Sequence, residues 1–226
     1  MRLSHRRRHS TAADAPPRPR DPWVFRSALD GHARMLTVAL SDKLYITYDT
    51  QHATLARAWH DGVNFTGGVY DARHGPQPTS LGKPYFKAPN ETAAWTVQQD
   101  GKPVDAKVHY LGYRMNGDSV AIDFAIHTPI GRVKISEVPE VVREGDGITL
   151  SRAFTVDGLP TGTTLDLSLA GSDGDAVVEY NVQVPAATPA GKLVATPTTQ
   201  PTSQPTSLLR ITNNGLVRLF TKWGQA

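Results

Sequence analysis

Cysteine is absent from the 226 residues of this chain. Disulfides, thiolate metal ligands, covalently attached c-type haem and cysteine nucleophiles are therefore excluded. The G-x-S-x-G elbow of serine hydrolases and the H-E-x-x-H motif of zinc peptidases are also missing. No apolar run approaches the length of a transmembrane helix. These absences leave a protein whose role has to be sought in its polar and aromatic side chains.

An excess of basic over acidic residues is lacking outside the first twenty positions. Residues 1–20 hold six arginines and one aspartate, a charge of +5, while the whole chain carries +3. Residues 21–226 therefore sum to −2. The body is mildly acidic, and no nucleic-acid partner is expected, since such partners need Lys and Arg clustered on the fold. The composition of the first twenty residues predicts a disordered basic tail.

An apolar core for a signal peptide is also lacking near the N-terminus. The opening MRLSHRRRH has the positive charge of such a peptide, but the following STAADAPPRPR is polar. No signal peptide is visible in this stretch. The protein is then either cytoplasmic or exported by a segment that lies outside this chain.

Helix-period segments are missing between the apolar runs, whereas strand patterns are frequent. Val120, Ile122, Phe124 and Ile126 keep a period of two, and Gly, Asp and Asn turns separate similar segments. This pattern predicts an all-β fold with few or no helices, an antiparallel β-sandwich whose length suits a large, super-sandwich-like arrangement.

Four regions follow from composition and periodicity. They are a disordered tail at 1–20, a β-sandwich domain at 21–184, a Pro/Thr-rich linker or loop at 185–206, and a C-terminal β-hairpin at 207–226 around Asn214-Gly215. Prolines and threonines recur through the third region, and Asn-Gly is a strong hairpin signal.

The stretch from Tyr48 to Gly82 departs from the regular strand pattern. It is crowded with histidine, tyrosine, tryptophan and aspartate side chains, and Gly67-Gly68 interrupts its alternation. Its second half has no period and contains several prolines, as long functional loops do. This stretch is where a site is expected.

Carbohydrate binding is the function that these residue types favour. Sugars pack on flat aromatic faces, and polar side chains orient their hydroxyl groups. The predicted ligand-binding residues are Trp59, Tyr70, Asp71, Arg73, His74 and Gln77. The alternative for Trp59 and Tyr70 is a place in the hydrophobic core, where large aromatic side chains usually lie.

Metal binding and catalysis are weaker hypotheses. His52, His60 and His74 stand near Asp49, Asp61 and Asp71, but their spacing matches no compact ligand motif. Asp49, Asp61, Asp71, Glu137 and Glu140 could serve glycoside hydrolysis, yet no spacing pairs two of them. No metal, cofactor or catalytic residue is therefore assigned, and an enzyme is less expected than a binding protein.

A family resemblance covers about residues 21–170. The segments RMLTVAL, YDTQ, a Leu-x-x-x-Trp, G-V-x-F-x-G-x-V-Y, HGPQP and HYLGYRMNGDSVAIDFAI carry it. The chain resembles an uncharacterised β-module of planctomycete-type multidomain proteins, found beside c-type cytochrome, haem-linked dehydrogenase, ThuA-like or sugar-hydrolase-like domains.

The resemblance implies a sandwich fold and a periplasmic or extracellular location. We expect a non-catalytic accessory or binding module, for carbohydrate, in an exported oxidative or glycan-degrading system. One alternative is a sugar-active enzyme domain, a hydrolase or dehydrogenase component, that uses the loop at 70–85. Another is a structural module packed on a cytochrome c domain. The expected partners are a glycan or small-molecule ligand and a neighbouring redox or hydrolase domain.

Overall fold

The computed structural model describes residues 21–65, 75–89, 93–144, 147–171, 178–183, 194–198 and 206–223. These ranges form eighteen β-strands and no helix. The predicted all-β class is confirmed. Among the described residues, none forms a helix long and apolar enough to cross a membrane.

Sheet A has five antiparallel strands, each paired with its neighbours in the order given. They are β1 (Trp23–Leu29), β2 (His32–Ala39), β3 (Tyr45–Asp49), β4 (Thr54–Trp59) and β7 (Pro84–Lys87). The intervening β5 (Val63–Asn64) and β6 (Thr79–Ser80) pair only with each other, as sheet B.

Sheets C and D contain the remaining strands. Sheet C runs β16 (Val194–Thr198), β17 (Thr206–Ile211), β14 (Thr163–Ser168), β8 (Trp95–Gln99) and β9 (Lys102–Val104). Sheet D runs β10 (Lys107–Asn116), β11 (Ser119–Thr128), β12 (Gly131–Glu144), β13 (Gly147–Asp157), β18 (Gly215–Trp223) and β15 (Val178–Gln183).

One hydrophobic core joins sheets A, C and D. Ile46 of sheet A, Val97 of sheet C and Phe124 of sheet D belong to the same buried cluster. The alternation predicted along β11 is confirmed, because Ile122, Phe124 and Ile126 are buried with at most 1% exposure. Successive side chains of a strand point to opposite faces, so this alternation directs one face of each sheet inward.

Sheets C and A are tied together at the core by Trp95. Its indole ring meets Phe154 of sheet D edge to face at 5.6 Å, and its Nε1 donates to the carbonyl of Ala53 at 3.0 Å. A buried tryptophan usually needs such a hydrogen-bond partner. The three sheets are therefore packed as a sandwich around a single core.

The C-terminal segment does not form the predicted hairpin. β17 pairs with β14 and β16 in sheet C, whereas β18 lies between β13 and β15 in sheet D. The prediction was wrong because both apolar runs are needed in the core, where Leu209 and Leu219 are fully buried. Asn214 lies in the connection between β17 and β18, and its side chain holds this connection against Leu159. Its Oδ1 accepts from the Leu159 amide at 2.7 Å, and its Nδ2 donates to the Leu159 carbonyl at 3.2 Å.

The remaining predictions concern the linker, the turn at Ser41-Asp42 and the N-terminal tail. Residues 194–198 form a strand inside the region that composition assigned to a linker or loop. The turn at Ser41-Asp42 does join two paired strands, β2 and β3, as the alternation on either side predicts. The tail at 1–20 lies outside the described residues.

Candidate functional site

The outer face of sheet A is covered by the segment that follows β4. Asp30 anchors this segment: its amide donates to Pro78 O at 3.0 Å, and its carboxylate accepts from Ser80 N at 2.8 Å and Ser80 Oγ at 2.7 Å. Leu81 N donates to Gly62 O at 2.9 Å. The end of the stretch singled out by its sequence is thus folded back across the sheet from which it emerges.

Trp59 lies beneath this cover. Its side chain is fully buried, its ring stacks on Tyr45 at 5.7 Å, and its Nε1 donates to Gly62 O at 2.7 Å. The ring has no free face for a ligand at the surface, so the predicted binding role is replaced by the core alternative. The physical reason is that the segment after β4 returns over the strand and buries it.

The other predicted ligand-binding residues are placed as follows. Gln77 is half-buried in the covering segment. Tyr70, Asp71, Arg73 and His74 lie outside the described residues, so their predicted role stays a prediction.

An aromatic cluster is exposed on the same face of sheet A. Trp23 and Phe25, two residues apart on β1, have ring centroids 4.9 Å apart. Phe65 meets Phe25 edge to face at 5.0 Å and Trp23 at 6.0 Å. Trp23 is 37% exposed and Phe65 43% exposed. We call these three residues the aromatic cluster.

The register of sheet A determines which side chains share a face with the aromatic cluster. Phe25 is the Cα partner of Thr37, Thr37 of Thr47, and Thr47 of Arg57. Cα partners on adjacent strands point to the same face. One row of side chains therefore leads from the aromatic cluster on β1 to an arginine on β4.

That arginine lines a cavity of about 90 Å³ beside the cover. Apolar walls come from Leu29, Met35, Ala56, Ala88 and Pro89, and polar groups from Asp30, His32, Thr47, Asp49, Thr54, Arg57 and Lys87. We call it the sheet A pocket. Ligand pockets of this kind combine apolar walls with a few polar groups that orient the ligand.

The charges of the sheet A pocket are arranged around Arg57. Its Nη1 lies 3.2 Å from Asp30 Oδ2, and its guanidinium lies 6.0 Å from the centre of the Trp59 ring. Its Nε is buried and makes no hydrogen bond to any described residue. Lys87 is the Cα partner of Arg57 on β7, so two cations adjoin there. Such a wall offers donors to the oxygen atoms of a polar ligand.

Asp49 also lines the pocket. Its Oδ2 lies 2.6 Å from His52 Nδ1, and its Oδ1 accepts from Gln51 N at 2.8 Å. The carboxylate is therefore held in place by its own turn. It contributes a fixed negative charge to the same pocket as Arg57.

The histidines of the central stretch are separated. His52 pairs with Asp49, whereas His60 pairs with Asp61 at 2.8 Å. Among the described residues, no three histidine, aspartate or glutamate side chains come together as metal ligands. His74 and Asp71 lie outside the described residues.

The described carboxylates considered for hydrolysis also do not meet at one shared site. Glu137 is in the core, bonded to Tyr48 and Arg152, whereas the exposed Glu140 faces Arg218 at 3.9 Å. Of the described carboxylates in this set, Asp49 alone lines the sheet A pocket. Two carboxylates flanking a bond are needed for glycoside hydrolysis.

Sequence reasoning missed the aromatic cluster, although one signal for it was present. Trp23 and Phe25 alternate in the first strand, which places both on one face. Phe65 follows β5, and its contact with β1 depends on the return of the chain over sheet A. Only the fold could show that this face stays exposed at its edge.

The chain matches no protein-family model and no curated protein.

Proposed function

We propose that this protein is a non-catalytic binding module for carbohydrate, with its site on the outer face of sheet A. The observation that carries the proposal is the exposed cluster of Trp23, Phe25 and Phe65 on the same sheet face as the sheet A pocket. The system it serves would be exported and oxidative or glycan-degrading, as the resemblance implies.

The aromatic cluster would provide the packing surface. The apolar C–H face of a sugar ring packs on an aromatic ring, and large exposed apolar groups mark interaction sites. Trp23 and Phe65 retain more than a third of their surface for such contact. Their rings also support one another, which lowers the entropy lost when a ligand orders them.

The sheet A pocket would provide the polar contacts. Hydroxyl groups of a sugar both donate and accept, so a wall that holds Arg57 and Asp49 together suits them. The Nε of Arg57, which has no hydrogen-bond partner among the described residues, leaves one donor to be satisfied. A buried donor without a partner costs roughly 1–3 kcal/mol, which a bound oxygen atom would recover.

A sugar-active enzyme is the less supported alternative. Hydrolysis needs two placed carboxylates, and the carboxylates of the sheet A pocket are already engaged: Asp30 with Arg57 and Ser80, and Asp49 with His52. Their present partners suit orientation of a ligand better than proton transfer.

Affinity electrophoresis through gels that contain soluble neutral polysaccharides tests the proposal. β-Glucan, xylan, galactomannan and dextran form a suitable panel. We expect at least one of them to retard the protein. Trp23→Ala and Phe65→Ala should each lower the affinity about tenfold, which corresponds to about 1.4 kcal/mol.

Tyr113→Ala is the matched control. Tyr113 is 42% exposed on sheet D, so its loss removes a similar ring from another surface. Equal melting temperatures of the three variants would exclude unfolding as the cause. The proposal is wrong if no polysaccharide retards the wild-type protein, or if Tyr113→Ala weakens binding as much as Trp23→Ala.

A further inference from the structure

The outer face of sheet D carries a row of three basic residues. Lys107 on β10 is the Cα partner of His127 on β11, and His127 is the Cα partner of Arg132 on β12. All three side chains are exposed. Their chain neighbours Ile126 and Val133 are buried in the core, so the alternation of the strands directs the basic side chains outward.

A second basic row lies beside the first on the same face. Ala125 separates His109 and Lys134, which are its Cα partners on β10 and β12. The His109 and His127 rings meet edge to face, with centroids 4.7 Å apart. Lys107, His109, His127, Arg132 and Lys134 together are called the basic patch.

The basic patch has no direct ion-pair partner in the part of the protein that the structure describes. None of its five side chains forms an ion pair with a described residue. The patch ends at Asp157, the Cα partner of Lys134 on β13. Lys107, Arg132 and Lys134 carry formal positive charges at neutral pH, and neighbouring like charges repel one another. An anion bound across the rows would relieve that repulsion.

We infer that the basic patch binds an anionic polysaccharide, whose sulfate or carboxylate groups contact the two rows. This surface is on sheet D, so the inference goes beyond the proposed function on sheet A and does not depend on it.

The geometry of the basic patch favours a chain of separate charges over one enclosed ion. Neighbouring strands are about 4.8 Å apart, and same-face residues of one strand are about 6.8 Å apart. The basic side chains therefore form an open array rather than a closed cage. A polymer with spaced anionic groups can contact several of them at once, which raises its avidity.

Nucleic acid suits the patch less well. Proteins that bind single strands interleave aromatic side chains with basic ones, and the five residues of the patch include no tryptophan, tyrosine or phenylalanine.

Affinity electrophoresis with dextran sulfate, against unmodified dextran at the same concentration, tests the inference. The double variant Lys107→Gln/Arg132→Gln should lose most of the retardation that dextran sulfate causes. The slope of its log affinity against log salt concentration should be less negative by about two, because two fewer counterions are displaced on binding.

Lys43→Gln/Lys102→Gln is the matched control, because it removes two exposed cations that lie outside the patch. The charge of residues 1–20 is the same in both variants, so a difference between them reports on the patch. We expect the control to keep near wild-type retardation in dextran sulfate.

Three results would overturn the inference. They are equal losses in the two double variants, no retardation of the wild type by dextran sulfate, and tighter binding to single-stranded DNA than to dextran sulfate through the same residues. A loss of neutral-glycan binding on Trp23→Ala, with dextran sulfate binding retained, would separate this surface from the aromatic cluster.

Discussion

The hydroxyl group of Tyr48 donates a hydrogen bond of 2.5 Å to Glu137 Oε1 in the middle of the core. Arg152 completes the network: its Nε donates to Oε1 at 2.6 Å and its second nitrogen, Nη2, to Oε2 at 3.1 Å. Burial, and then the charge of Glu137, raise the pKa of Tyr48 well above its usual range. The phenol therefore stays protonated and acts as a donor that ties sheet A to sheet D.

Breaking this network should destabilise the fold strongly. In Glu137→Gln the buried guanidinium of Arg152 loses its counter-charge, which we expect to cost about 3–5 kcal/mol of unfolding free energy. Tyr48→Phe removes one hydrogen bond to a charged group and should cost about 1.5–3 kcal/mol. Urea unfolding measures both values.

The control for this prediction is Asp166→Asn. Asp166 forms a similar two-bond pair with Arg210, but the Arg210 side chain is 33% exposed and can be hydrated when the pair is lost. A loss in Glu137→Gln no larger than that in Asp166→Asn would contradict the argument from burial.

Asp30→Ala should loosen the cover over sheet A. The substitution removes two hydrogen bonds to Ser80 and the ion pair with Arg57. We expect faster hydrogen exchange at the Leu81 amide, whose bond to Gly62 O depends on that anchor. Hydrogen exchange followed by NMR or mass spectrometry measures this directly. Asp105→Ala, at an exposed position before β10, should leave the exchange of Leu81 unchanged, and equal acceleration in both variants would refute the anchoring role.

Gly158→Ala should destabilise the protein more than Gly101→Ala. Both glycines have left-handed φ angles, +78° and +75°, so an alanine is strained to a similar degree at either position. A Cβ at Gly158 would lie 2.5 Å from the carbonyl oxygen of Arg132, whereas a Cβ at Gly101 meets nothing within 4 Å. We expect a difference of about 1 kcal/mol or more in thermal or urea unfolding, since overpacking against backbone costs about 1–3 kcal/mol. Equal losses of stability in the two variants would contradict this prediction, because they would mean that strand β12 shifts to make room for the added methyl group.

Binding of dextran sulfate to the basic patch should strengthen as the pH falls from about 8 to about 5, the range in which histidine gains its charge. Loss of hydration beside its neighbours, then the charges of His109 and Arg132, lower the pKa of His127, so much of its charge appears only in the acidic part of that range. Lys107 and His109 on β10 and Arg132 on β12 face His127. An anionic ligand favours the protonated imidazole, so affinity and proton uptake rise together.

The test for this pH dependence is His127→Gln. Affinity electrophoresis across the pH range should show a flatter profile for the variant than for the wild type. His32→Gln, at a histidine of the sheet A pocket, should keep the wild-type profile. A profile unchanged by His127→Gln would refute the role of that imidazole.

Much of the scaffold was predictable from local sequence. The alternation of Val120, Ile122, Phe124 and Ile126 predicts a strand whose large apolar side chains share one buried face. All four are buried in β11, together with the small Ala121 and Ala125 on its other face. Each such pattern depends only on neighbouring residues and on the period of a strand, which is why it could be interpreted without the fold. The hairpin expected around Asn214-Gly215 could not be judged this way, because the choice of sheet for β17 and β18 depends on distant strands.

The sequence by itself determined that this is an all-β protein, and it marked Tyr48 to Gly82 as a departure from the regular strand pattern. The tertiary structure decided what that stretch does to its surroundings. It buries Trp59 under its own return, and it leaves Trp23 and Phe65 exposed at the edge of the sheet A cover. Residue type alone does not distinguish a tryptophan in the core from one at the surface. The difference arises only when non-local segments pack, because burial is a property of what comes to lie over a side chain.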